Sequence, residues 1–179
     1  MSWMDEIGGL VQQYEAGQHQ AAPAGQVEQH YDQVAQSAPC SVIASGLADA
    51  FRSGGAGGFG QIASQLFGNS GGGQQANLLN TLLSTAGPGL EAALASGNLP
   101  GLSSILGGGG GAPRQLTPEE AAQVPQQEIQ HLANHVQNND PSIVDRVGEI
   151  YAEHPGVVKS LGSEALALAM SKISQRATA

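Results

Sequence analysis

Between Phe59 and Asn69 the apolar residues Phe59, Ile62, Ala63, Leu66 and Phe67 fall at i, i+3, i+4, i+7 and i+8, and Gly68-Asn69 follows at once. That spacing puts all five side chains on one face of a helix. The Gly-Asn pair is the residue type that ends a helix in the left-handed conformation. A chain built from such units is confined to short amphipathic helices stacked face to face. The same pattern recurs. Val27, Tyr31 and Val34 mark one helix ending before Pro39, and Ser37 to Arg52 forms another with Val42, Ile43, Leu47, Ala50 and Phe51 on one side and Ser45, Asp49 and Arg52 opposite. Leu78, Leu79, Leu82 and Leu83 line a helix over 74–86, and weaker turns lie around Leu90–Leu94 and Leu102–Leu106. No segment alternates with the period of two that a half-buried strand requires. The expected fold class is all-α and multihelical.

The last third carries the densest apolar periodicity. Thr117-Pro118-Glu119-Glu120 is a capping box with Pro at the first helical position, a sharp start. Val124-Pro125 opens a helix with Ile129, Leu132, Ala133 and Val136 inward, which Asn138-Asn139 stops. Asp140-Pro141 restarts the chain, since Asp can accept from first-turn amides and Pro sacrifices no hydrogen bond there. His154-Pro155-Gly156 ends that helix, and a last one is expected from Val157 to Arg176, bending at Gly162-Ser163 where Ser163 can cap a new turn. Its stretch Ala165–Met170 is apolar nearly all round, which predicts burial. The glycine run 107–111 is the strongest boundary in the chain. It divides a Gly/Ala/Leu-rich helical region (1–106) and a short linker (107–116) from a C-terminal helical domain (117–179).

The charge balance narrows the function classes. Six Lys and Arg against fifteen Asp and Glu give a net charge of −9. The cations, Arg52, Arg114, Arg146, Lys159, Lys172 and Arg176, are too scattered to form a patch, which argues against nucleic acid and against an anionic membrane surface. The acidic start lacks the basic and apolar regions of a signal peptide, and the longest apolar stretch, Leu166–Met170, is far short of a span. A soluble, cytoplasmic protein with no membrane insertion is expected, with signal-free export left open. Cys40 has no partner for an internal disulfide. It stands at a helix start, where the amide dipole favours a thiolate, but a lone cysteine more often behaves as a small buried hydrophobe.

Candidate chemistry is sparse. Glycine-rich runs invite a phosphate-cradle reading, yet no strand precedes them and no Gly-Lys-Ser/Thr follows. Glu128, His131 and His135 are spaced i, i+3, i+7, and His131–His135 is the i, i+4 pair that chelates a metal from one helix face. At 100° per residue, both histidines point about 140° and 100° away from the apolar stripe, towards solvent. A solvated polar face is the expectation, with a weak metal or ligand site on that Glu/His face as the alternative. Asp145, Glu149 and Glu153 form a carboxylate ladder of the kind that usually marks a solvated face. His154 lies near the centre of the Ile143/Val147/Ile150 stripe, at a helix end where it gains from the dipole. No nucleophile can be assigned to it. No enzyme, cofactor or metal site is expected.

A different feature suggests docking. Trp3, Ile7, Leu10, Val11 and Tyr14 follow i, i+4, i+7, i+8, i+11, one face of a short N-terminal helix with Ser2 as cap. Such a stripe packs either on its own domain or on a partner, and homo-oligomerisation or capture of a protein partner is the expected role.

The segments VEQHYDQVAQSAP, GLADAFRS, FGQIASQLFGNS and NLLNTLL, with LTPEEAAQVPQQEIQHLANH and DPSIVDRVGEIYAEHPGVVKSLG, resemble a group of uncharacterised bacterial proteins. The amphipathic start and Gly/Leu-rich middle are similar to the YidB-like proteins of unknown function, which are small and multihelical. That resemblance implies a bacterial helical protein and brings no activity and no site residues with it.

Overall fold

The computed structural model describes residues 8–9, 12, 23–53, 58–87, 89–106 and 114–178. Among them the regular elements are helices: α1 (Ala24–Ser37), α2 (Cys40–Arg52), α3 (Phe59–Asn69), α4 (Gly72–Ala86), α5 (Gly89–Ala95), α6 (Pro100–Leu106), α7 (Pro118–Ala121), α8 (Gln126–Asn139), α9 (Ile143–Ala152), α10 (Pro155–Lys159) and α11 (Ser163–Thr178). The fold is all-α. The glycine run 107–111 and the N-terminal stripe Trp3, Ile7, Leu10, Val11 and Tyr14 lie outside the described residues.

The chain divides into two units, one of residues 1–58 with 147–179, the other of residues 59–146. These bounds differ from those read off the glycine run, because helices on its two sides pack together: α4 against α7 and α8, and α3 against α8. Apolar faces choose partners by complementarity. A glycine run sets only how freely the chain can pass from one to the next.

In the first unit, α11 packs on α2 and α1, and α10 on α1. Val27, Tyr31 and Val34 of α1 are buried, with Ile43, Leu47 and Phe51 of α2 and Leu166, Met170 and Ile173 of α11. Ser45 and Arg52 face solvent as their spacing requires, while Val42 is only half-buried. Two glycines set the helix spacing. A Cβ at Gly46 would lie 2.7 Å from the Ile173 Cα, and one at Gly148 would lie 2.7 Å from the Ala44 carbonyl oxygen. Ion pairs join the helices of this unit: Lys159 Nζ reaches Asp32 at 2.9 Å and Arg176 Nε reaches Asp49 at 2.6 Å. The expected single last helix is two, α10 and α11. Gly162 between them takes φ +94°, and its carbonyl accepts from the Leu166 amide at 3.0 Å to start the second. A helix cannot run through that dihedral, so the expected bend is a break.

In the second unit, α3 and α8 form the main contact, with α4 across both. Phe59, Ile62, Ala63, Leu66 and Phe67 are all buried, as are Leu78, Leu79, Leu82 and Leu83, and Ile129, Leu132, Ala133 and Val136. The helix ends follow local chemistry. Thr117 Oγ1 accepts from the Glu120 amide, and the Glu120 carboxylate accepts from the Thr117 amide at 3.0 Å. The same carboxylate is gripped by Arg114 at 2.7 and 3.1 Å. Hydrogen bonds from Arg114 and from the Thr117 backbone hold the Glu120 carboxyl well below its usual range, at about 2. Asp140 accepts from the Ser142 amide at 3.0 Å just ahead of α9.

Candidate functional site

The Glu/His face of α8 is where the sequence offers its nearest approach to site chemistry, and each of its side chains has a definite place. His131 is exposed and His135 half-buried, in keeping with their angles from the apolar stripe. Glu128 corrects the reading of a solvated face: it is 6 % exposed. It stands four residues before Leu132, at the edge of the stripe, and α6 covers it. One carboxylate oxygen accepts from the Gly101 amide at 2.7 Å and the other from the Leu102 amide at 2.8 Å. Those are orphan donors at the start of α6, and a carboxylate there satisfies both the hydrogen bonds and the dipole. Charge-assisted bonds of this kind contribute about 1.5–3 kcal/mol.

Glycine makes the approach possible. A Cβ at position 101 would come within 2.9 Å of Glu128 Oε1 and of Pro125 Cδ. About two turns along α8, His135 Nε2 lies 3.2 Å from the Gly89 carbonyl oxygen and 3.1 Å from Asn139 Nδ2. That nitrogen either donates to the carbonyl or accepts from the amide, according to tautomer. Gly89 again has no room to spare, since a Cβ there would sit 3.1 Å from the imidazole.

Among the described residues no group of three or more His, Cys, Asp or Glu is placed to hold a metal. Glu128, His131 and His135 do not converge: one serves backbone amides, one faces water, one meets a carbonyl. Cys40, the first residue of α2, is exposed, contrary to the buried role expected of it. Glu149 and Glu153 are exposed and Asp145 half-buried. His154 is half-buried between α9 and α10, at the N-terminal boundary of the latter.

Two polar residues that the sequence did not single out bridge distant segments. Asn80 donates to the Leu116 carbonyl at 3.1 Å and accepts from the Leu116 amide at 2.7 Å, pinning the chain ahead of α7 to α4. Arg146 Nη1 donates to Thr85 Oγ1 at 3.1 Å. The partners stand 36 and 61 residues apart, so no local pattern announces them. The Tyr31 hydroxyl is the reverse case. It is fully buried and has no hydrogen-bond partner among the described residues. Burial, reinforced by the neighbouring Asp32 charge, pushes its pKa far above the ordinary phenol value.

No family model matches the chain, and neither does any curated protein or solved structure. Among the described residues no helix is long and apolar enough to cross a membrane.

Proposed function

We propose that this is a non-enzymatic, cytoplasmic helical protein that works by self-association or by docking a protein partner. The observation that carries the reading is the spacing of Trp3, Ile7, Leu10, Val11 and Tyr14, large aromatic and aliphatic residues at i, i+4, i+7, i+8 and i+11 in a short segment followed by GQHQAAPAG. Trp and Tyr supply much contact area with few rotamers to freeze, and they anchor interfaces for that reason. The acids whose contacts are seen support the same reading. Glu128 and Glu120 hold helix starts, Asp140 turns the chain into α9, and Asp32 and Asp49 hold ion pairs. The likeness to the YidB-like proteins of unknown function belongs to the same proposal only as far as a small, multihelical bacterial protein, and it brings no role with it.

Deletion of residues 1–16 tests it. Light scattering on the full chain and on the deletion is expected to give different masses with the same helical circular dichroism. An unchanged mass with the fold intact removes the self-association role of the stripe, and a lost dichroism signal shows that the stripe is core.

A further inference from the structure

We infer that residues 89–106 form a detachable strap on the second unit, latched by His135 of α8 at its start and by Glu128 of α8 farther along. The strap consists of α5 and α6, seven residues each. Helices of that length do not persist in water without packing. Their anchorage is thin, with Leu90, Ala93, Leu99 and Leu102 as the buried apolar side chains. Three polar side chains do the rest. His135 meets the Gly89 carbonyl at the start, Glu128 takes the Gly101 and Leu102 amides in the middle, and Arg114 Nη2 donates to the Ile105 carbonyl at 2.9 Å near the end. Gly87 at φ +49° precedes the strap and Gly97 at φ +73° separates its helices.

When the strap lifts, the Glu128 carboxylate and the α6 amides go to water together, so neither is left buried and unpaired. The opening therefore demands far less than unfolding α3, α4 and α8, whose faces bury large side chains throughout. Segments with few buried contacts and polar anchors open on their own. What the opening presents is apolar: Leu90, Leu99 and Leu102 on the strap. The device is a reversible exposure of hydrophobic surface, and it stands whether or not the chain self-associates.

Native-state hydrogen exchange on the full chain, read by mass spectrometry, tests it with Gly101→Ala and Glu128→Gln. Alanine is a better helix former than glycine, so loosening of α6 in G101A reports the clash of the added Cβ with Glu128 and Pro125 rather than a weaker helix, and E128Q isolates the part played by the carboxylate. Amides of 90–95 and 101–106 are expected to exchange as one group, at least tenfold faster than those of 129–136. Both variants should accelerate that group a further tenfold, with 62–67 and 129–136 unchanged. Equal protection of strap and α8 in the unmodified chain would overturn the inference. So would acceleration of the whole unit in both variants, or none in either.

Discussion

At the scale of single residues, Glu120 and Tyr31 show the two fates of a polar side chain, one held by several partners and one buried without a partner among the described residues. Glu120 is held by Arg114 and by its own capping box, which lowers its pKa from 4.5 to about 2. A group whose folded pKa is depressed stabilises the fold above its unfolded pKa, and that contribution fades as pH falls from about 4.5 towards 2. A carboxyl titration by NMR should find the Glu120 midpoint near 2, and Arg114→Ala should raise it. A midpoint at the ordinary value would mean that the bidentate pair does not persist in solution. Tyr31 has the opposite sign. Its folded pKa is raised by burial, so the unfolded chain loses its proton first and stability declines as pH rises above about 10. Tyr31→Phe removes a buried hydroxyl without a partner and should be neutral or stabilising by up to about 1–3 kcal/mol in urea denaturation. It should also flatten the alkaline decline. A loss of stability instead would reveal a partner for the hydroxyl.

At the scale of elements, helix positions were legible because their causes are local. The inward faces of α3, α4 and α8, the capping box of α7 and the Asp140 turn all depend on residues two to four apart. The exceptions are equally physical. Gly162, where the sequence led to the expectation of a bend, is a full break, which its positive dihedral shows. Gly148 looks like a weak point of α9, yet it is where that helix meets the backbone of α2. Gly148→Ala would force a Cβ to within 2.7 Å of the Ala44 carbonyl and should destabilise by about 1–3 kcal/mol. Gly73→Ala is the control: nothing lies within 4 Å of its added Cβ, and helix propensity should leave it neutral or up to about 1 kcal/mol more stable. Thermal and urea denaturation of the two variants separate the packing role from the propensity role.

At the scale of the whole molecule, the second unit is continuous in sequence and the first is not. Residues 59–146 contain the packed faces of α3, α4 and α8, the Glu128 latch and the Asn80–Leu116 bridge in one stretch. Expressed alone, that segment should be helical and unfold cooperatively. A noncooperative, weakly helical fragment would show that its core needs the other segments. By itself the sequence determined that the fold class is all-α, where most helices begin, and which faces turn inward, because those follow from spacing within a few residues. Only the tertiary structure decided that helices on both sides of the glycine run share a unit and that Glu128 serves α6. The bonds that set these facts join residues 26 and more apart, and burial at such distances depends on which faces meet.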